Sequence, residues 1–211
     1  MERKDEIAKD LLKIGAVKIS PDDPFTWTSG MKSPIYCDNR LTMSFPEVRK
    51  KLTLAFADMT DQMDKKFEVI AGCATAGIPH AAWLSDHLGL PMAYVRSKPK
   101  GHGKGNQIEG DIKKGQRVIV IEDLISTGGS ALNAVQALQE KGAEVMAVFA
   151  IFTYGLAGTA EAFAEQGISL STITDFETLV TILETEGGVS EKESKQLFEW
   201  REALQGSAHR S

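Results

Sequence analysis

Apolar residues recur at helical spacing from the start of the chain. Ile7, Leu11, Leu12 and Ile14 alternate with charged positions and predict an amphipathic helix over residues 3–14. The next stretch, VKISPDDPFTWTSGMKSPIYCDNR from Val17 to Arg40, breaks that rhythm with Pro21, Pro24, Pro34, Ser29-Gly30 and several β-formers. It predicts short strands joined by turns, a small hood over whatever sheet follows. The 3.6-residue rhythm returns from Phe45 to Met63 through Val48, Leu52, Ala55, Phe56 and Met59. After that, strands and helices alternate. The pattern predicts strands over 67–71, 92–95, 117–122, 145–152 and 168–173. It predicts helices over 78–88, with Pro79 tolerated in the first turn, over 131–141 and over about 156–166. Leu179, Ile182, Leu183, Leu197, Trp200 and Leu204 mark a helical end, and GSAHRS reads as a frayed tail. Such alternation implies a mainly parallel sheet flanked by helices, with right-handed crossovers. No internal repeat occurs.

One stretch, RVIVIEDLISTGGSALNA from Arg117 to Ala134, carries the candidate chemistry. Val118, Ile119, Val120 and Ile121 form an apolar β-branched run suited to a strand buried on both faces. Thr127-Gly128-Gly129-Ser130 then leads into a helix with Ala131, Leu132, Val135 and Leu138 on one face. A strand, a small-residue turn and a helix N-terminus make an anion cradle: inward N–H groups, close backbone approach and the helix dipole all favour negative charge. Glu122 and Asp123 stand directly before it. Two carboxylates repel phosphate, so they fit a ligand that also carries hydroxyls a few ångströms away. A ribose 5-phosphate meets both demands, its phosphate on 127–130 and its 2- and 3-hydroxyls donating to the acids. A solvated acidic turn is the bland alternative, and the small-residue turn at the carboxyl end of a parallel strand weighs against it. Gly72 to Gly77 is a second strand-to-helix turn, either another phosphate contact or a site of close packing.

The segment after Val95 is cationic. RSKPKGHGKGNQI holds Arg96, Lys98, Lys100 and Lys104 with His102, and no acid precedes Glu109. A solvated loop is the plain reading. Beside a ribose-phosphate cradle, a mobile cationic loop would close over a pyrophosphate and stabilise its departing charge. Neither G-x-G-x-x-G nor G-x-x-x-x-G-K-[ST] is present.

Composition adds boundaries. At 211 residues, 42% apolar and 25% charged, the chain suits one domain spanning 1–211. A net charge of −5 argues against a general nucleic-acid binder. Cys37 and Cys73 show no metal-ligand spacing with His80, His87, His102 or His209, so no protein-held metal site is expected, and buried or site-lining thiols are the simpler account. No apolar run is long enough to span a membrane and MERKDEIAKD lacks a signal core, which points to the cytoplasm.

VIVIEDLISTGGS closely resembles the phosphoribosyl pyrophosphate (PRPP) signature of type I phosphoribosyltransferases. FTWTSGMKSPIYCDNR resembles the hood of the orotate-specific branch, and RSKPKGHGKG resembles that branch's catalytic loop. The resemblance covers nearly the whole chain. It implies the type I phosphoribosyltransferase fold, with residues 17–40 in the hood and 96–109 as a mobile catalytic loop. It also implies transfer of ribose 5-phosphate from PRPP to N1 of orotate, with orotidine 5′-monophosphate and pyrophosphate as products, in pyrimidine synthesis. Mg²⁺ would be held mainly through PRPP. Two copies would form a homodimer, each loop closing over its neighbour's site. Lys100, His102 and Asp123 would be catalytic. Arg96, Lys100 and His102 would bind pyrophosphate, Glu122 and Asp123 the ribose, and the stretch Leu124, Ile125, Ser126, Thr127, Gly128, Gly129 and Ser130 the rest of PRPP, with Ser126 also facing orotate.

The chain departs from the family pattern at Thr28, Thr75-Ala76, Ser97 and Tyr154, each standing where a cation, or tyrosine-lysine in the turn, is frequent. Lys32, Lys98 and Lys104 are candidates to restore that charge. Three rivals are a purine or xanthine phosphoribosyltransferase, a non-catalytic PRPP-sensing regulator and a generic Rossmann protein. Ser33-Pro34-Ile35-Tyr36 favours orotate over purine. The absence of a basic helix-turn-helix over 1–40 disfavours the regulator. The missing glycine fingerprint disfavours the last.

Overall fold

The computed structural model describes residues 2–26, 32–98 and 107–208, of which 205–208 by backbone alone. Helix α1 (Arg3–Lys13) buries Ile7, Ala8 and Leu11, the stripe its spacing predicts. Two antiparallel pairs follow: β1 (Val17–Ile19) with β4 (Ile35–Cys37), and β2 (Phe25–Thr26) with β3 (Lys32–Ser33). A 3-10 helix (Asn39–Ser44) leads into α2 (Pro46–Asp61), which has proline at its start, where no N–H is missed.

The alternating part comprises β5 (Val69–Cys73), α3 (Gly77–Leu88), β6 (Met92–Val95), β7 (Ile108–Glu109), β8 (Arg117–Ile125), α4 (Gly129–Glu140), β9 (Glu144–Thr153), α5 (Thr159–Glu165) and β10 (Ser169–Asp175). Two helices, α6 (Phe176–Thr185) and α7 (Glu191–Ala208), complete the chain. Asp175 caps α6 by accepting from Thr178 N at 2.8 Å.

Six strands form one sheet in the order β10-β9-β8-β5-β6-β7, parallel except for β7. Strand residues alternate between two cores, as their period of two requires. Ile70, Ile119, Ile121, Phe149 and Ile151 join a cluster with Leu11, Phe56, Leu84 and Leu179. Val69, Ala71, Val118, Val120 and Val148 join the opposite one, with Val135, Leu138 and Phe163. The apolar run 118–121 is therefore buried on both faces, as expected.

Four local expectations are corrected. β8 runs to Ile125 rather than 122, because Leu124 and Ile125 continue the ladder against Phe152 and Thr153. Glu122 and Asp123 thus lie within the strand. The antiparallel edge strand β7 was not foreseen: its two residues pair with Tyr94 and Val95, too few to show a period. Helix α4 begins at Gly129, two residues early, and α5 spans only Thr159–Glu165.

Close packing explains two glycines. A Cβ on Gly77 would collide with the carbonyl oxygen of Ile121, and one on Gly72 would lie 2.9 Å from Ile78 Cα. The start of α3 therefore presses against the backbone of β5 and β8. A Gly77→Ala variant is expected to lose about 1–3 kcal/mol of stability. Urea denaturation would show a lower midpoint at unchanged slope; an unmoved midpoint would mean that α3 can back away freely.

Candidate functional site

From β5 the chain proceeds to β6 and β7 on one side, and from β8 to β9 and β10 on the other. The order thus reverses between β5 and β8, and open α/β sheets bind ligands in the crevice at the carboxyl ends of such a pair. A cavity of about 380 Å³ opens there. The turn after β5 supplies Ala74, Thr75 and Ala76, and β8 supplies Glu122, Asp123 and Leu124. The segment leaving β4 contributes Cys37, Asp38 and Arg40, and α4 contributes Ser130. The Ala74–Thr75 peptide bond is cis.

The turn between β8 and α4 is built around glycine. Gly128 takes φ 81° at the N-cap of α4, and a Cβ on it would meet Phe163 at 2.6 Å, so the turn can close only with glycine there. Thr127, Gly129 and Ser130 are exposed, and nothing but Thr127 Oγ1, at 3.9 Å, lies near a Cβ built on Gly129. First-turn N–H groups of α4 are thereby available to an anion. The structure separates other members of the expected set. Ile125 is a core side chain, so only its backbone can face a ligand. Ser126 is half-buried beside α5, its carbonyl accepting from Thr159 Oγ1 at 3.1 Å, and is not among the cavity's lining residues.

The acids sit in a demanding electrostatic setting. Burial pushes the Glu122 carboxyl up to about 8, and the neighbouring Asp123 charge pushes the same way. Asp123 is also raised, by burial, while the Arg40 charge opposes the shift. Glu122 Oε1 accepts from Asp123 N at 3.1 Å. Arg40 is the only cation among the described residues lining the cavity, and Asp38 grips it in a fork at 2.6 and 2.8 Å. Both thiols are driven up, chiefly by burial: Cys73 next to Glu122, and Cys37 near Asp123. They are the site-lining and buried thiols the sequence suggested.

Arg96 follows the end of β6. Its N–H donates to Gln107 O at 2.8 Å and its guanidinium lies 3.6 Å from Glu109. Gln107 Nε2 returns a bond to Arg96 O at 2.9 Å, and Asn133 Nδ2 of α4 donates to Ser97 O at 3.1 Å. The segment expected as a loop over 96–109 is thus tied at both ends, and 108–109 belong to β7. Lys100, His102 and Lys104 lie outside the described residues, as does Thr28 of the hood. Tyr154 is buried, edge-on to Phe152 and Trp200. Beyond it, Arg201 NH1 would lie 3.8 Å from a Cβ on Gly155, its guanidinium over Phe176 and Phe198. Sequence reasoning quoted the hood containing Asp38, Asn39 and Arg40 but gave them no role. An Asp-x-Arg pair directly after a strand was the available signal.

A helix-flanked parallel sheet with a small-residue turn and paired carboxylates at its switch point defines an α/β protein built for a phosphorylated, hydroxylated ligand. Comparison with known proteins makes this specific. Residues 45–169 match the phosphoribosyl transferase domain model. The chain is 60% identical to the orotate phosphoribosyltransferase of Oceanobacillus iheyensis over 94% of its length and 98% of that protein. The crystal structure of orotate phosphoribosyltransferase from Aeropyrum pernix superposes with a TM-score of 0.75 at 32% identity, covering 87% of this chain and 99% of that one. The Mycobacterium tuberculosis orotate phosphoribosyltransferase in complex with PRPP gives 0.66 at 26% identity, covering 84% and 99%. The chain belongs to the phosphoribosyltransferase family.

The Glu122 shift has a testable consequence. A carboxyl whose folded pKa exceeds its unfolded value near 4.5 stabilises the fold at low pH, and that contribution is lost as pH rises through about 8. Glu122→Gln should therefore gain stability relative to the parent as pH rises from about 4.5 to about 8, and the difference should level off above that. Urea denaturation across that range would show it. A constant difference would mean Glu122 is already ionised at neutral pH.

Proposed function

We propose that this chain transfers ribose 5-phosphate from PRPP to N1 of orotate, releasing pyrophosphate and orotidine 5′-monophosphate. One observation carries the reading: a buried and a half-buried carboxylate adjoin a glycine turn at a helix N-terminus, at the switch point of a sheet whose relatives are orotate phosphoribosyltransferases. Those relatives favour orotate over a purine or xanthine as the acceptor and an enzyme over a PRPP-sensing regulator.

In this reading the 5-phosphate sits on Thr127–Ser130 against the start of α4, and the ribose hydroxyls donate to Glu122 and Asp123. As pyrophosphate departs, positive charge grows on the ribose ring, and the two carboxylates stabilise it. The departing oxygens need cations. Arg40 faces the Ala74–Ala76 wall of the same cavity, Arg96 stands at the end of β6, and Lys100 and His102 complete the set. Mg²⁺ fits as a companion of PRPP: Asp38, Glu122 and Asp123 line the cavity where the sugar's oxygens would lie. Bound there, the ion would offset the pyrophosphate charge. Leu41, Met43 and Phe45, each more than a third exposed on the segment after Arg40, suit burial against a second copy in a homodimer. A cytoplasmic location accords with the lack, among the described residues, of any helix long and apolar enough to cross a membrane.

Purified protein mixed with Mg²⁺, PRPP and orotate should deplete orotate absorbance, while uracil, hypoxanthine and xanthine should not react. Turnover of hypoxanthine in place of orotate would overturn the assignment. Lys100→Ala should lower kcat far more than it weakens PRPP binding, because its contact strengthens as the leaving group gains charge. A pure KM effect would remove Lys100 from the catalytic set. Asp123→Asn should slow both directions, by about 10²-fold or more if the carboxylate stabilises the cationic ring; near-parental rates would displace the ribose from this position.

A further inference from the structure

β8 outruns its neighbour. The last pairing with β5 is Gly72 with Ile121, yet β8 continues through Glu122, Asp123, Leu124 and Ile125. Past that point the strand has lost the β5 ladder, and its backbone groups on that side must find other partners. The candidate ribose carboxylates occupy this unsupported stretch.

The peptide groups of Asp123 are held by side chains. Its N–H donates to Glu122 Oε1 at 3.1 Å, and its carbonyl oxygen accepts from Asn39 Nδ2 at 2.7 Å. The second bond joins residues 84 positions apart. Asn39 is 1% exposed and is itself fixed at several atoms. Cys37 Sγ donates to its Oδ1 at 3.5 Å, and Thr42 Oγ1 donates to its carbonyl oxygen at 2.6 Å. Thr42 Oγ1 in turn lies 3.4 Å from Nε2 of His80, a buried α3 side chain packed edge-on against Trp83. An amide nitrogen facing a carbonyl can only donate, so the orientation of Asn39 is set by its partners. Asn39 touches neither the cavity nor any group assigned to the chemistry other than Asp123.

We infer that Asn39 is the positioning residue for the ribose-binding carboxylates: it stands in for the missing strand and sets the backbone of β8 where Glu122 and Asp123 meet the sugar. The inference rests on the ribose assignment proposed above. A one-ångström displacement of such groups is costly, because their hydrogen bonds depend on placement. Loss of the Asn39 amide should blunt recognition of the ribose hydroxyls while leaving the phosphate turn, on α4, intact.

Ribose 5-phosphate and 2-deoxyribose 5-phosphate are suitable probes, their dissociation constants measured by calorimetry or by competition with PRPP. The parent protein should prefer the ribose form by roughly tenfold or more, the range of a hydrogen bond to a charged acceptor. In Asn39→Leu that preference should collapse toward equality, with ribose 5-phosphate losing more affinity than the deoxy sugar, which keeps only the 3-hydroxyl contact. Equal loss of both sugars, or a preserved preference, overturns the inference, since general loosening of the site would not select for one hydroxyl. Asn39→Asp keeps the volume and removes the donor, so it gives the same reading if the leucine variant does not fold. A parent protein indifferent to the 2-hydroxyl would instead refute the ribose assignment, and the inference with it.

Discussion

The reach of β8 beyond β5 is the constraint on which the site depends. A parallel sheet satisfies its backbone only where strands overlap, and here the central strand continues for four residues without its inner neighbour. That overhang opens the crevice at the switch point and puts Glu122 and Asp123 on its wall. Gly77 lets α3 close against the strand just before the overhang, and the segment after β4 supports it from another side. Hood, first helix of the alternating part and central strand thus converge on one short stretch of main chain.

Its electrostatics are paradoxical only for an empty cavity. Asp38, Glu122 and Asp123 face it with Arg40 as the cation among the described residues, yet the proposed substrates are anions. The conflict disappears once the ligand's parts are separated in space. In the proposed reading, carboxylates meet hydroxyls, helix N–H groups meet the 5-phosphate, and cations gather where pyrophosphate leaves. Burial that raises the Glu122 carboxyl also makes its ionised form a stronger acceptor when a hydroxyl arrives.

Much of this was legible in the residues. The run 118–121 announced a strand buried on both faces, and Thr127-Gly128-Gly129-Ser130 announced the turn, because both signals are local and periodic. The strand's end was misplaced at 122, since two acids look like a terminus until Phe152 and Thr153 are seen pairing with the residues beyond them. β7 went unseen because two residues carry no period. Asn39 was invisible for another reason: its bond to Asp123 joins residues 84 positions apart, and the local Asp-x-Arg signal says nothing of a partner so distant in the chain. Ser126 is the reverse case, a hydroxyl within the signature whose carbonyl is engaged by α5 and whose side chain does not line the cavity.

Helix α4 has two attachments of different kinds. Its first residues frame the small-residue turn, and one turn further along Asn133 grips the carbonyl of Ser97, at the root of the cationic segment. The small-residue turn and the start of the segment after β6 are therefore both attached to one helix. Whatever displaces the front of that helix therefore acts on the start of the other segment through a single element.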